Sequence, residues 1–188
     1  ERVHLLHDLR AAFEGGRLFL VYQPQIDLVS GRVLGVEALL RWRDESGEFV
    51  PLERFITVAE QSGLIVALGA WVLRTALAAQ RELLAQGFRL RMAVNVSPVQ
   101  FRHPAFVATV AAAVAELAID PALLEFEITE SAAMHNAEEA IVTLTRLKSL
   151  GVRVSIDDFG TGYSSLSYLK RFPVDALKLD RSFVKDLP

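Results

Sequence analysis

The chain has 188 residues, is 52% hydrophobic and 23% charged, and carries a net charge of -3 with no cysteine. This suits one soluble domain with a sizeable core. It excludes disulfides, thiolate zinc sites and cysteine nucleophiles, and it lacks the basic footprint of a protein that binds DNA or RNA polymers. The missing cysteines accord with a cytoplasmic location. No apolar run reaches the roughly 18–20 residues of a membrane span, and no basic region followed by an apolar stretch marks a signal peptide.

Taken in order, residues 4–13 read as an amphipathic helix with Leu5, Leu6, Leu9 and Phe13 on one side, ended by Gly15 and Gly16. Residues 19–26 and 33–42 read as two strands, and the short connection around Ser30 and Gly31 makes them an antiparallel hairpin. A helical region covers residues 52–86, broken near Ser62 and Gly63 and stopped at Gly87. Strands at 90–96, 123–128 and 152–156 then alternate with helices at 104–117 and 137–150, and a short helix at 164–170 precedes a last strand at 176–179. Strands alternating with helices imply right-handed crossovers and a mainly parallel sheet.

The count is six strands, whereas a closed (β/α)8 barrel needs eight and usually about 250 residues. The chain is therefore an open α/β sheet or a barrel whose last two β/α units are missing. The ending FVKDLP, directly after a strand, favours the barrel.

Side chains on a strand point to alternate faces. Glu37, Leu39 and Arg41 share one face of their strand, and Val36, Ala38, Leu40 and Trp42 the other. The same alternation sets Asn95 against Val94 and Val96, and Glu125, Glu127 and Thr129 against Phe126 and Ile128. It also sets Arg153, Ser155 and Asp157 against Val154 and Ile156, and Lys178 and Asp180 against Leu177 and Leu179. A half-solvated antiparallel sheet gives this pattern too. The intervening helices favour a polar barrel interior instead, whose buried charges need partners.

Glu37, Asn95, Glu127, Asp157 and Asp158 all offer oxygen, the donor set of Mg²⁺ or Mn²⁺. Four carboxylates exceed the need of one divalent ion, which points to two. Neighbours on a regular strand face opposite ways, so Asp157 and Asp158 both reach the site only if the strand ends between them, as Gly160 and Gly162 permit. Two such ions suit in-line phosphodiester hydrolysis. Lys178 is then placed to orient the attacking water or offset charge, and Arg41 to grip a phosphate. The histidines His4, His7, His103 and His135 lack metal-ligand spacing, and Trp42 and Trp71 read as core.

The stretches YQPQIDL, VEALLRW, AEQSGLI, NVSPVQF, EITES, DDFGTGYSSL and LKLDRSFV together resemble the EAL-domain phosphodiesterases of bacterial cyclic di-GMP signalling, from Phe19 onward in the family's order. The resemblance implies a (β/α)8 barrel with an antiparallel first strand, and hydrolysis of cyclic di-GMP to linear pGpG with Mg²⁺ or Mn²⁺. It implies Glu37, Asn95, Glu127 and Asp157 as metal ligands, with Asp158 on the second metal and Lys178 near the attacking water. Gln23, Leu39 and Arg41 become substrate contacts. Glu130 becomes the anchor of a loop, Asp157 to Ser164, that couples the site to a homodimer interface. A further glutamate on a seventh strand and a glutamine on an eighth would lie beyond Pro188, so residues 1–188 are expected to be an EAL domain incomplete at its C-terminus. The helix within residues 1–15 becomes a linker from sensory or GGDEF domains, or a barrel cover. No membrane contact is expected of this domain itself, whereas a parent protein could be membrane-anchored. A non-catalytic cyclic di-GMP receptor, or a docking module, is the competing implication.

Overall fold

The computed structural model describes residues 2–160, 166–183 and 185. Its centre is one six-stranded sheet in the order β1-β2-β3-β4-β5-β6. The strands are β1 (Leu18–Ile26), β2 (Val33–Trp42), β3 (Arg91–Val96), β4 (Leu124–Thr129), β5 (Arg153–Phe159) and β6 (Ala176–Leu179). β1 pairs antiparallel with β2, and every later neighbour pairs parallel. Sequential order with helical crossovers is the wall of a (β/α) barrel. Side-chain contacts show that the wall curves. Flat strands four places apart stand roughly 19 Å from one another, yet Lys178 Nζ on β6 reaches Glu37 Oε2 on β2 at 3.3 Å.

The helices α1 (Arg2–Glu14), α2 (Leu52–Ser62) and α3 (Leu64–Ala85) open the outer layer. Gly63, at φ 76°, separates the last two because a left-handed residue ends one helix and starts the next without a Cβ penalty. The 22-residue α3 is the one described helix long and apolar enough to cross a membrane. Leu68, Leu73, Ala76 and Leu77 on it are buried in the core with Phe126 and Ile128 of β4. Buried Gln80 of α3 donates from Nε2 to the carbonyls of Leu90 and Leu123, so one amide ties the helix to the chain entering β3 and β4.

Two short helices were not expected: α4 (Pro98–Phe101) and α6 (Glu130–Met134). Both are started by caps. Ser97 Oγ accepts from Gln100 N ahead of Pro98, and Thr129 Oγ1 accepts from Ala132 N. The helix expected at 104–117 is α5 (Phe106–Leu117), followed by α7 (Ala137–Ser149), which Asn136 caps, and α8 (Leu166–Leu169). Residues 164 and 165 of the expected last helix, and 161–164 of the expected coupling loop, lie outside the described residues.

One expectation needs correction. β5 does not end between Asp157 and Asp158, because its pairing with β6 slips after Ile156 and resumes at Phe159 opposite Leu179. The two acids form a bulge, and Asp158 itself takes φ 53°. Asp tolerates that left-handed conformation better than most residues. Gly160, at φ 95°, follows the bulge, while Gly162 lies outside the described residues.

Candidate active site

The interior of the wall carries polar side chains in layers. The lower layer holds Glu125 on β4, whose carboxylate lies 3.1 Å from Arg91 Nε and 3.3 Å from Arg153 Nε. Register produces it, since Glu125 stands opposite Ala93 and Arg153 in the ladders.

The next layer, toward the C-terminal strand ends, centres on Lys178. Its ammonium is 2.6 Å from Glu127 Oε2, 3.3 Å from Glu37 Oε2 and 3.9 Å from Asp157 Oδ1. Asn95 Nδ2 donates to Glu37 Oε1 at 2.7 Å, and Gln25 Nε2 to Glu127 Oε1 at 3.3 Å. Three strands thus aim three carboxylates at one cation on a fourth, and Asn95 and Gln25 each hydrogen-bond one of the carboxylates. The alternation places them there. Asn95 pairs with Glu127 in the β3–β4 register, and Thr129 with Asp157 in the β4–β5 register.

Electrostatics follows from this crowding. Burial, with Glu37 and Asp157 adding, pushes the Glu127 carboxyl up to about 7 against the opposing pull of Lys178. Burial also opposes the Lys178 charge, but Glu127, Glu37 and Asp157 outweigh it and hold the ammonium above its ordinary value. Burial and the charges of Asp157 and Asp180 raise Asp158. One ammonium is too little positive charge for this cluster.

Asp158 reaches the rim of a cavity of about 500 Å³ that Glu37, Asn95, Glu127 and Thr129 also line. Leu39 lines the same cavity. Arg41 does not: its Nη1 donates to Leu40 O at 2.8 Å, and it borders a second hollow with Phe49 and Pro51. Gln23 is exposed on β1, opposite Glu37 in the hairpin register. Glu130, 5% exposed, accepts the Gly160 N–H on Oε2 at 3.0 Å and so tethers the chain just past the bulge. The four histidines are exposed, Trp42 is buried and Trp71 half-buried.

An all-oxygen set of three carboxylates, a carboxamide oxygen and the neighbouring Asp158 fits a hard divalent cation by donor chemistry and by its excess negative charge. Among the described residues, no three acidic or imidazole groups surround a common point at ligand reach. The carboxylates turn to Lys178 instead. Three further residues at the site were missed from sequence. Gln25 lies two positions after Gln23 on the same strand face, so period-2 counting could have found it. Gln100 on α4 and Glu60 on α2 enter the cavity from helices, where only tertiary packing reveals them.

A family model described as "EAL domain" matches residues 6–188. Over 188 residues the chain is 45% identical to the bifunctional diguanylate cyclase/cyclic di-GMP phosphodiesterase MucR of Pseudomonas aeruginosa, covering 100% of this chain and 27% of that protein. It is 44% identical to the cyclic di-GMP phosphodiesterase NbdA of the same organism, covering 100% of this chain and 24% of that protein. The chain thus spans about a quarter of the length of these curated relatives. A solved structure described as PaMucR phosphodiesterase in complex with c-di-GMP superposes with a TM-score of 0.94 at 45% identity, covering 98% of this chain and 75% of that one.

Proposed function

The chain belongs to the EAL domain family, and from that premise we propose that it takes part in hydrolysing cyclic di-GMP to linear pGpG. The observation that carries this reading is the convergence of Glu37, Glu127 and Asp157 on Lys178, beside a cavity open to a ligand. The names of its relatives supply the substrate class.

In this reading Glu37, Asn95, Glu127 and Asp157 hold Mg²⁺ or Mn²⁺, with Asp158 on a second ion. Bound, these ions activate water and stabilise charge on a phosphate oxygen. The remaining work belongs to the chain. Lys178, freed from part of its carboxylate cluster, keeps an ammonium hydrogen on the attacking water and offsets charge developing on the phosphate. Leu39 packs against the nucleotide, and Gln23 and Arg41 contact it from β1 and β2. For Arg41 this requires its guanidinium to leave the Leu40 carbonyl. Glu130, through Gly160, keeps the bulge that aims Asp158 inward. The proposal extends to a homodimer, to a cytoplasmic location, and to sensory or GGDEF domains elsewhere in the parent protein.

One observation favours a second reading, a cyclic di-GMP receptor without turnover. Lys178 already neutralises part of the cluster, which lessens its need for a metal. Chromatography of cyclic di-GMP incubated with the full-length protein and Mg²⁺ or Mn²⁺ separates the two. Hydrolysis yields pGpG, and a receptor leaves the nucleotide intact while calorimetry still reports binding.

A further inference from the structure

Glu127 is 1% exposed, and its two carboxylate oxygens have different partners. Lys178 Nζ lies 2.6 Å from Oε2, while Oε1 accepts from Gln25 Nε2 at 3.3 Å. The second contact crosses the inside of the wall. Gln25 stands on β1 and Glu127 on β4, and strands three places apart in a flat sheet are roughly 14 Å from one another. Curvature supplies part of the reach, and a missing side chain supplies room. Gly35 of β2 is opposite Gln25 in the hairpin register. A Cβ on Gly35 would stand 3.3 Å from Gln25 Oε1 and 2.7 Å from the Arg91 carbonyl oxygen, so any side chain there would crowd the amide. A carboxylate only accepts, so the amide presents its N–H end to Glu127. Its carbonyl end lies against Gly35, and Gln25 thus orients a carboxylate of the site without joining the oxygen donors itself.

We propose that Gln25 is a positioning residue for the divalent ion: it holds Glu127 Oε1 apart from Lys178 and so keeps that oxygen available to the metal. The inference rests on the metal-dependent phosphodiesterase reading above. One accepted N–H uses one lone pair of Oε1 and leaves the other for an ion. Without the amide, Lys178 is the one side-chain donor to Glu127 among the described residues. The carboxylate then turns both oxygens to the ammonium, and neither is left for an ion. Groups that orient a ligand from behind typically contribute about 10–100-fold to metal affinity. Gln23, two residues earlier, is read as a substrate contact; Gln25 acts on the carboxylate instead.

The test is Mn²⁺ binding to the full-length protein, read by electron paramagnetic resonance and calorimetry, with a thermal melt of each variant. The variants are Gln25→Met, Glu127→Asp and the two combined. Gln25→Met keeps the length of the side chain and removes the amide. It should weaken Mn²⁺ binding about 10–100-fold and raise the Mn²⁺ needed for half-maximal turnover of cyclic di-GMP by a similar factor. The calorimetric Kd of the nucleotide in EDTA should not change. Glu127→Asp draws the carboxylate back from Gln25, so adding Gln25→Met to it should weaken Mn²⁺ no further. If Gln25→Met does not melt cooperatively, Gln25→Leu supplies the same readout. A folded Gln25→Met that binds Mn²⁺ as tightly as the parent overturns this inference alone, and so does an equal loss with and without Glu127→Asp. Nucleotide affinity in EDTA that falls along with Mn²⁺ affinity also overturns it, and makes Gln25 a tie between β1 and β4. A parent that binds no Mn²⁺, or binds it as well after Glu37→Ala, overturns the metal-dependent reading on which it stands.

Discussion

Lys178 on β6 and Glu127 on β4 form an ion pair of 2.6 Å in which the carboxylate is fully buried. Removing one partner leaves the other charge uncompensated, which costs more than the pair gains. Lys178→Met should therefore lower stability by on the order of 3 kcal/mol, measured by urea unfolding. It should also lower kcat by at least about 100-fold, because the same ammonium serves the attacking water.

Asp158 combines a left-handed backbone with a place at the site. Asp158→Gly relaxes the backbone, so the melting point should hold or rise, by up to about 1 kcal/mol in stability. Turnover should nonetheless fall by at least about 100-fold. Loss of stability in this variant would show that the bulge is held by the side chain and not opposed by its φ of 53°.

Glu130 acts at one remove, through the Gly160 N–H. Glu130→Gln keeps the size and an acceptor oxygen and should keep most activity. Glu130→Ala should cut kcat by about 10–100-fold, the cost of misplacing a group by about 1 Å. Hydrogen exchange at Gly160 should speed up in the alanine variant only.

Asp175 links three elements of the wall. Its carboxylate accepts from Lys148 Nζ of α7 at 2.8 Å and from the Val154 N–H of β5 at 2.8 Å. Burial alone would raise its pKa, but these hydrogen bonds and the charges of Lys148 and Arg153 outweigh burial and lower it. A lowered folded pKa means stability that is fully present above the unfolded carboxyl value of about 3.9 and is lost as pH falls through the folded value. Asp175→Asn should cost about 1–3 kcal/mol at neutral pH. It should also flatten the acid limb of stability below about pH 4, read from melting points across pH.

The wall of the site could be read from sequence because period-2 alternation assigns a face residue by residue. That is why Glu37, Asn95, Glu127, Asp157 and Lys178 emerge together. Their convergence on one ammonium could not be read, since it depends on curvature that brings β2 and β6 within side-chain reach. The bulge was hidden for a related reason. Whether Asp158 turns left-handed is decided by the ladder to β6, not by its own neighbours. α4 and α6 are too short to show a helical period, and their caps, Ser97 and Thr129, sit at strand ends. Arg41 lies on the expected face, yet its guanidinium turns back to its own strand.

The most direct measurement is the chromatographic fate of cyclic di-GMP with the full-length protein and Glu37→Ala, each with Mg²⁺ and with Mn²⁺. The account predicts linear pGpG from the parent, and none from the variant at a melting point within a few degrees of the parent's. Cyclic di-GMP left intact by the parent in both metals, or cleaved equally by Glu37→Ala, would contradict it.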